Sequence, residues 1–406
     1  MTTAGPTSTA IRPDLSSWQQ GAAQGWMGSS SRWLGAIGLA AALLGSQTLA
    51  ASTPLPSDVR LLLPSEGLLA GLGDGLRRGY GLAMEQSRSC GITPPSLQLG
   101  WLPPGADPRP RLSGAPRSEL LVAPPAAPLA AYGQLAEQQR LSVLLPLQRG
   151  SSLDGLPRLK GADRLWPIVP ARSLEADRLA EGLLADGIRR VMVVRDASAD
   201  SRALSERFVA SFSNGRGVVI GPTAEPISLN ADDRVAVEQL ISDVDWYRPP
   251  ALVVLTRTGS PLARRLQQAT WPEGLLLAWP FRLQSSLAQA QLGVDPQSRG
   301  HAWKGFAERF EQRWGYAPGL VESAGYDTGV IAALASVRAA GQAGWDLHWF
   351  NATAKPLPLC EAMQQRSQGA RLRPQGASSR LDLSAGISPG ADLRLSRRAA
   401  AATATP

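Results

Sequence analysis

Polar side chains and glycines follow the first predicted strand of the chain, at a place where a small molecule could bind. The apolar run 59–63 ends at Pro64, and Ser65, Glu66 and a glycine-rich turn at 67–75 precede an amphipathic helix. A short apolar run without alternation is typical of a strand buried on both faces of a parallel sheet. Glycine lets the backbone turn sharply and approach a ligand, and ligands bind outside the carboxyl ends of such strands. The stretch therefore predicts a binding site at a strand-to-helix junction.

The residue types that most catalysis needs are scarce in this sequence. His301 and His348 are the two histidines, and both lie outside the predicted strand-end loops. The sequence therefore offers few residues from which a Ser-His-Asp triad or a histidine-based zinc site could be built. The glycine-rich turn lacks the full G-x-G-x-x-G spacing, and no acidic residue ends a second strand, which argues against dinucleotide binding. We expect a protein that is not an enzyme and that uses no metal and no cofactor.

The positive charge of the chain is dispersed. Its 406 residues carry a formal net charge of +8, which could indicate a nucleic acid or a membrane surface as partner. However, the arginines are scattered, no basic stripe alternates with aromatic residues, and the locally basic end at 394–398 is short. With 44% apolar and 18% charged residues, the composition is that of a soluble globular protein of about two domains. We therefore expect no nucleic-acid partner.

The first fifty residues have the pattern of an export signal. An apolar segment at 33–44 is followed by Thr-Leu-Ala at 48–50. The segment is too short to span the roughly 30 Å hydrocarbon core as a helix, and the Thr-Leu-Ala sequence fits a small-x-small cleavage site. Residues 1–50 are predicted to be a cleaved signal peptide, with an uncleaved membrane anchor as the alternative. Translation could also begin at Met27, which would leave a compact basic start.

Two cysteines, Cys90 and Cys360, lie far apart in the sequence. In an oxidising compartment they could pair, and a bridge would need both segments in one lobe with Cα atoms less than about 7 Å apart. The alternative is that both are unpaired small apolar side chains. The sequence leaves both interpretations open.

Strand and helix patterns alternate along the chain from residue 58. Short apolar runs are followed by loops and amphipathic segments, and this pattern occurs twice, at 58–170 and 171–282. Such alternation predicts an α/β fold of parallel, doubly wound sheets with right-handed crossovers. After residue 282 the composition shifts. Residues 380–383 have the pattern of a late strand, and 394–406 have the composition of a disordered tail.

Four segments carry a family resemblance: the opening strand and helix, the start of the second half, a late helical region and a closing segment. Their residues are 61–65 with Gly79 and Ala83, 187–191, Phe306, Phe310, 314–316, Pro318, Gly325-Tyr326-Asp327, and 376–382. Together they resemble the leucine/isoleucine/valine-type members of the type I periplasmic binding protein superfamily. These are the substrate-binding components of ABC importers. The likeness covers roughly 58–395.

The resemblance implies two doubly wound lobes joined by a three-crossover hinge, with a ligand held in the cleft between them. Lobe 1 would comprise 58–170 and 283–355, and lobe 2 would comprise 171–282 and 356–398. Residues 399–406 would form a disordered tail. The lobes would close around the ligand by a hinge motion.

The implied cleft would be lined by loops that follow strands in both lobes. The candidate ligand-binding residues are Ser65, Glu66, Ala126, Arg149, Ser151, Asp196, Arg257, Trp279 and Arg282. The three arginines would converge on an anionic or hydrogen-bonding ligand, because the guanidinium group presents fork-shaped donors; the alternative for each is a solvated loop flank. Trp279 follows a strand end and is predicted to form a wall of the cleft.

Two positions depart from the amino-acid-binding members of the family. The loop at 124–128 has no hydroxyl and few N–H donors, where those members hold the ligand carboxylate. Phe281 and Arg282 stand where those members place an acidic residue for the ligand ammonium group. The first departure disfavours carboxylate capture at this loop, and the second disfavours a cationic group.

Two functions follow from the resemblance. The first is an exported solute-binding protein that captures an amino acid, an amide or a small organic anion and delivers it to the permease subunits of an ABC importer. The second is a non-transport periplasmic sensor or regulatory partner on the same fold, such as a cell-wall synthase activator. For either function we expect a periplasmic monomer with no stable membrane insertion after signal cleavage.

The signal-peptide interpretation makes a direct prediction. The mature protein should begin near Ala51 and be recovered in the soluble envelope fraction, because the apolar segment is removed with the signal. Amino-terminal sequencing of the protein purified from that fraction measures this. A mature chain that keeps residues ahead of Trp33 would contradict the prediction.

Overall fold

The computed structural model describes residues 58–67, 69–113, 118–283, 289–295, 299–337 and 344–399. The predicted signal peptide and residues 400–406 of the predicted tail lie outside the described residues. The described chain forms two lobes, and each lobe is built around a sheet with helices on both faces.

The strands are short and largely apolar. In chain order they are β1 (Val59–Pro64), β2 (Leu97–Leu102), β3 (Leu120–Val122), β4 (Ser142–Leu145), β5 (Leu165–Pro167), β6 (Arg190–Arg195), β7 (Val218–Val219), β8 (Ile227–Ser228), β9 (Ala251–Leu255), β10 (Leu276–Trp279), β11 (Ala290–Asp295), β12 (Pro356–Leu357), β13 (Arg373–Pro374) and β14 (Arg394–Arg398). β1, β3, β4 and β9 are buried along their whole length, as expected for strands covered on both faces.

The helices alternate with these strands. In chain order they are α1 (Ala70–Ser89), α2 (Pro108–Leu112), α3 (Leu129–Gln139), α4 (Ser173–Ala185), α5 (Ala199–Asn214), α6 (Arg234–Tyr247), α7 (Pro261–Gln268), α8 (Trp303–Trp314), α9 (Leu320–Ser336) and α10 (Leu359–Ser367).

The two lobes have related architectures. The first sheet has the order β2-β1-β3-β4-β5 with all strands parallel; α1, α8, α9 and α10 cover one face and α3 covers the other. The second sheet has the order β14-β11-β10-β9-β6-β7, with β8 beside β6, and β14 alone is antiparallel within it. α4 and α5 cover one of its faces, and α6 and α7 cover the other. The prediction of two doubly wound α/β lobes is confirmed.

Helices α1 and α9 pack backbone against backbone in the first lobe. A Cβ atom at Gly79 would lie 1.9 Å from the carbonyl oxygen of Glu322, and one at Gly325 would lie 2.1 Å from that of Leu76. A side chain at either position would push the helices apart, because both obstructing atoms belong to the backbone. These two glycines, which belong to the segments that carry the family resemblance, therefore serve helix packing.

The chain crosses between the lobes three times, but two crossovers lie away from the predicted boundaries. β11 pairs with β10, so residues 290–295 belong to the second lobe, although 283–355 was predicted as part of lobe 1. The predicted lobe 2 segment 356–398 is divided. Its helix α10 and residues 372–383 pack in the first-lobe core, and β14 pairs in the second sheet. The lobe to which each segment belongs is decided by its strand pairing and its packing. Local sequence patterns do not show either of these.

The late strand predicted at 380–383 is wrong, and a strand occurs where the tail was predicted. Residues 380–383 are not a strand, and Leu381 and Leu383 are buried in the first-lobe core. Instead, β14 forms within 394–406 and pairs with β11. β14 carries one apolar side chain, Leu395, so the segment lacks the alternation that marks a half-buried strand. Its place at the sheet edge explains how so polar a strand is accommodated.

Cys90 and Cys360 form a disulfide with their Cα atoms 5.1 Å apart. The bridge joins the end of α1 to α10, across 270 residues of sequence. It can form because α10 lies in the first lobe beside α1 and α9. A cross-link of this kind typically stabilises a protein by about 2–4 kcal/mol.

A buried carboxylate fixes the late segment of the chain to the first lobe. Asp327 on α9 is fully buried; its Oδ1 accepts a hydrogen bond from the N–H of Ala377 at 2.7 Å, and its Oδ2 accepts two from Ser378 at 2.8 and 2.6 Å. Carbonyl groups of the same segment accept the N–H groups of Gly300 and Ala302 at 3.1 and 2.8 Å. Asp327 therefore fixes residues 377–378 to α9, and these residues lie beside the segment at 300–302 that follows the second crossover.

The protonation of Asp327 links stability to pH. Burial raises the pKa of Asp327 to about 7, although the hydrogen bonds from Ser378 and Ala377 favour the carboxylate. An unfolded aspartate has a pKa of about 3.9, so the folded protein binds more protons than the unfolded chain between these two values. The contribution of this group to the free energy of unfolding is therefore full below about pH 4 and is lost as pH rises through about 7.

We expect Asp327→Asn to lower the free energy of unfolding by about 2 kcal/mol at neutral pH, because the amide NH₂ would face a backbone N–H donor. The difference between the two proteins should be larger at about pH 4.5 than at about pH 8, since the variant lacks the titrating group. Urea unfolding at both pH values measures this. A difference that stays constant or grows with pH would contradict the assignment.

Candidate functional site

The loops at the carboxyl ends of the strands define where a ligand can reach both sheets. In a doubly wound sheet the binding crevice lies where successive connections run to opposite sides of the sheet. In the first sheet this point lies between β1 and β3, and in the second it lies between β6 and β9. The candidate site therefore consists of the loops that follow these four strands and their neighbours.

A cavity of about 510 Å³ lies at this point of the second lobe, between the loops that follow β6, β8 and β9. Its lining residues are Asp196, Ala197, Ser198, Leu229, Asn230, Ala231, Asp232, Arg257, Ser260, Pro261 and Leu262. Leu229 and Leu262 are buried and give it an apolar wall, and the remaining side chains are small or polar. The volume lies within the usual range for small-molecule pockets, about 300–1,000 Å³. We call this cavity the second-lobe cup.

Three helices begin around the second-lobe cup because polar residues cap their amino termini. The Oγ of Ser198 accepts the N–H of Ser201 at 3.2 Å at the start of α5, and the Oγ of Ser260 accepts the N–H of Ala263 at 3.0 Å at the start of α7. Asp233 caps α6 in the same way. Capping ends each loop at a fixed place, so the mouth of the second-lobe cup has a defined shape.

Asp196 organises the polar side of the second-lobe cup. Its carboxylate accepts the N–H of Ser198 at 2.9 Å and the hydroxyl of Thr256, which lies 3.0 Å from the Oγ of Ser260. Burial would raise the pKa of Asp196, but the hydrogen bonds from Ser198 and Thr256 hold it below its ordinary value. Asp196 is therefore ionised at neutral pH, and it ties the loop after β6 to the loop after β9.

An ion pair joins the lobes beside the first crossover. Arg149 follows β4 in the first lobe, and its Nη2 lies 2.5 Å from the Oε1 of Glu175, in the first turn of α4 in the second lobe. The Nε of Arg149 also donates to the carbonyl oxygen of Pro170 at 3.0 Å. Glu175 is 1% exposed and lies 3.6 Å from the Nε of Arg172 as well. The charge of Arg149 is thus neutralised within the protein.

A second polar contact between the lobes centres on Asp200 of α5. Its Oδ1 accepts the N–H and the Oγ–H of Ser151, in the first lobe, at 3.1 and 2.7 Å, and its Oδ2 accepts Arg257 of the second lobe. Burial would raise the pKa of Asp200, but the bonds from Ser151 and Arg257 hold it below its ordinary value. Arg257 lines the second-lobe cup as well, so the cup opens next to this contact.

Two of the three arginines that were predicted to converge on a ligand are paired with carboxylates. Arg149 is paired with Glu175, and Arg257 is paired with Asp200. Arg282 is exposed. These carboxylates offset positive charge near the interlobe contacts, which disfavours an anionic ligand held by Arg149 and Arg257.

The other predicted residues divide into three groups. Ser65 and Glu66 are exposed after β1, and Ala126 is exposed after β3 with a φ of 58°, so a role for them in binding stays a prediction. Ser151 and Asp196 belong to the hydrogen-bonded loops described above. Trp279 is fully buried in the second-lobe core, with its ring 5.3 Å from that of a neighbouring phenylalanine. It therefore does not form a wall of the cleft, because its side chain packs on the face of the second sheet that α6 and α7 cover.

Sequence reasoning missed the two carboxylates that join the lobes. Glu175 and Asp200 each stand in the first turn of a helix, a place where acidic residues are common because they complement the helix dipole. Their sequence context therefore gave no sign of an interlobe role. The same holds for Ser198 and Ser260, which shape the second-lobe cup as ordinary helix caps.

No cluster of three or more His, Cys, Asp or Glu side chains that could hold a metal ion occurs in the described part of the chain. Among the same residues, no helix has the length and apolar character needed to cross a membrane.

Several solved structures share this two-lobed architecture, and the similarity extends over most of this chain. A branched-chain amino acid ABC transporter periplasmic ligand-binding protein from Burkholderia xenovorans has a TM-score of 0.60 and 11% identity, over 85% of this chain and 90% of that one. An ABC transporter substrate-binding protein from Desulfitobacterium hafniense, in complex with Leu, has a TM-score of 0.58 and 15% identity, over 85% and 98%. A solute binding protein of an ABC transporter from R. palustris, in complex with benzoate, has a TM-score of 0.55 and 17% identity, over 83% and 91%.

At these identities the likeness establishes the fold. It is the two-lobed fold of the type I periplasmic binding proteins, as the sequence resemblance implied. Comparison of the sequence with protein-family models gives no match, and comparison with curated proteins gives none either.

The contact at Asp200 makes a prediction about the separation of the lobes. Asp200→Asn removes the charge that pairs with Arg257 and one acceptor for Ser151, at a cost of about 1–3 kcal/mol. Such a change shifts an equilibrium between closed and open lobes by roughly 5- to 150-fold. Small-angle X-ray scattering of the ligand-free protein should therefore show a larger radius of gyration for the variant.

Asp177→Asn is the matched control, because Asp177 pairs with Arg207 inside the second lobe and its side chain is similarly exposed, 17% against 20% for Asp200. The control should scatter like the wild type. Equal scattering from all three proteins would show that the Asp200 contact does not set the distance between the lobes.

Proposed function

We propose that this chain, whose fold is that of the type I periplasmic binding proteins, is the solute-binding component of an ABC importer. It would hold a small molecule between its lobes and deliver it to the permease subunits. The second-lobe cup supports this most directly, because it lies at the switch point of its sheet, where ligands bind in such folds, and opens beside the contact between the lobes. The protein would act by binding, without catalysis and without a cofactor.

The chemistry of the second-lobe cup suggests the kind of ligand. Leu229 and Leu262 offer an apolar wall, while Asp196 and Asn230 offer hydrogen-bonding groups at the rim. Arg257 is paired with Asp200, whereas Asp196, which is ionised, faces the cup and favours a ligand group that donates hydrogen bonds. We infer a small molecule with an apolar body and a hydrogen-bonding head, within the predicted range of amino acids, amides and small organic anions. The Leu and benzoate held by two of the similar proteins have this character.

The proposed cellular setting follows from the amino-terminal pattern. An exported protein with a cleaved signal would work in the periplasm, where an importer meets its solute, and the disulfide between Cys90 and Cys360 suits an oxidising compartment. The similar proteins named above are transporter components. None of them supports the alternative of a sensor or a cell-wall synthase activator.

A thermal-shift screen of amino acids, amides and organic anions, with leucine and benzoate included, tests the proposal. A ligand at a hundred times its dissociation constant should stabilise the protein by about 2.7 kcal/mol. Ala231→Phe, which fills the second-lobe cup, should weaken binding of that ligand at least tenfold in calorimetric titration while leaving the melting temperature of the free protein nearly unchanged.

Gln268→Phe is the control for the added phenylalanine, because Gln268 is exposed at the opposite end of α7 from the second-lobe cup. It should bind like the wild type. A ligand that binds Ala231→Phe as tightly as the wild type would exclude the second-lobe cup as its site. The absence of any stabilising compound across the three classes would argue against a solute-binding role.

A further inference from the structure

The second-lobe cup carries an excess of negative charge. Three of its lining residues have ionisable side chains, Asp196, Asp232 and Arg257. Arg257 is already paired with Asp200. Among the residues that the structure describes, no lysine or arginine forms an ion pair with Asp196 or Asp232. Two carboxylates therefore line the cup without a cationic partner.

Other carboxylates of the second lobe that are withdrawn from water do have such a partner. Glu175 lies 2.5 Å from a nitrogen of Arg149, and Asp177 lies 2.7 Å from a nitrogen of Arg207. The pairing stabilises these carboxylates, because the attraction between opposite charges is stronger where less water screens it. Asp196 is also partly buried, but it lies in the wall of a cavity. A cation bound in the cup would supply the partner that Asp196 lacks in the described part of the chain.

The carboxylate of Asp196 can accept further hydrogen bonds. It accepts the N–H of Ser198 and the hydroxyl of Thr256, and neither donor carries a charge. A carboxylate has about four acceptor sites, so capacity remains for a ligand. Arg195, the preceding residue, donates instead to the carbonyl oxygen of Asp196 at 3.1 Å and to the Oγ of Ser228 at 3.2 Å, and it does not line the cup.

The remaining walls of the cup favour an organic cation over a metal ion. Ca²⁺ and Mg²⁺ take about six or more oxygen ligands, whereas Leu229 and Leu262 give this cavity an apolar wall. An ammonium group donates up to three hydrogen bonds, and the carbon body that carries it can lie against the two leucines. A ligand carboxylate has no comparable partner, because the guanidinium of Arg257 is paired with Asp200.

We propose that the solute of this protein carries an ammonium group that pairs with Asp196, and that its apolar body lies against Leu229 and Leu262. The inference rests on the proposed solute-binding function and narrows the ligand, since within the predicted range only compounds with an amino group qualify. The repulsion of a cation that the sequence suggested came from Arg282, which is exposed and does not line the cup. Asp196 is thus the residue that determines specificity.

Calorimetric titration at neutral pH with three probes of one carbon skeleton tests the proposal. Leucine carries an ammonium group and a carboxylate, its decarboxylated form isopentylamine keeps the ammonium group, and its deaminated form isocaproate keeps the carboxylate. Isopentylamine should bind at least about tenfold more tightly than isocaproate, as expected for a charge-assisted hydrogen bond. Leucine should bind as well, but no more tightly than isopentylamine, because its carboxylate has no cationic partner in the cup.

Asp196→Asn removes the charge and keeps the shape of the side chain. Its amide oxygen can still accept the N–H of Ser198, and the hydroxyl of Thr256 can turn toward the Oγ of Ser260, 3.0 Å away. Binding of isopentylamine should weaken at least about tenfold. Asp177→Asn is the control, because it removes a charge from the same lobe outside the cup, and it should bind isopentylamine like the wild type. Thermal unfolding of the ligand-free variants checks that both are folded.

The comparison of the three probes on the wild type does not depend on any variant. Isocaproate that binds as tightly as isopentylamine would overturn the proposal, as would isopentylamine that binds Asp196→Asn as tightly as the wild type or that does not bind at all. A ligand without an ammonium group whose binding is weakened by Ala231→Phe would overturn this proposal while supporting the proposed function. The absence of any ligand would count against both.

Discussion

The arrangement of the lobes depends on a buried carboxylate. Glu175 is 1% exposed at the start of α4, and a charge removed from water in this way is tolerated when it is paired. Arg149 from the first lobe and Arg172 from the crossover meet it there. Since the two lobes supply opposite charges, separating them at this point would break the ion pair and lose its Coulombic attraction. This ion pair opposes separation of the lobes beside the first crossover, close to the contact between Ser151 and Asp200.

The same pairing determines the electrostatic character of the candidate site. Arg149 and Arg257 would each be strong anchors for an anionic ligand if they were free, but each already pairs with a carboxylate, Glu175 or Asp200. An anion would have to compete with an internal carboxylate for either guanidinium. What the second-lobe cup offers instead is apolar surface with a few hydrogen-bonding groups at its rim. The proposed ligand accordingly does not depend on these two guanidinium groups.

The sequence predicted what depends on local periodicity. The alternation of apolar runs and amphipathic segments was enough to predict parallel, doubly wound sheets, because strands buried on both faces must be continuously apolar. The arrangement in two lobes was predicted from the family resemblance. Local periodicity could not predict β14, whose residues are mostly arginine and whose partner strand, β11, lies far away in the sequence. The site was harder still. Glu175 and Asp200 resemble ordinary helix-start acids until the fold brings Arg149 and Ser151 to them, and Trp279 could be placed only once the direction of its side chain was known.

Native mass spectrometry of the protein, purified from its own cells without denaturation, tests the central claim of solute binding most directly. A periplasmic binding protein that retains its solute should carry one small-molecule adduct per chain, released on denaturation and absent from protein refolded in solute-free buffer. We expect such an adduct, its loss from the variant with a filled second-lobe cup, and its return when the released molecule is added back to the wild type. A native mass equal to that of the polypeptide alone, together with no uptake of any compound from a periplasmic extract, would contradict it.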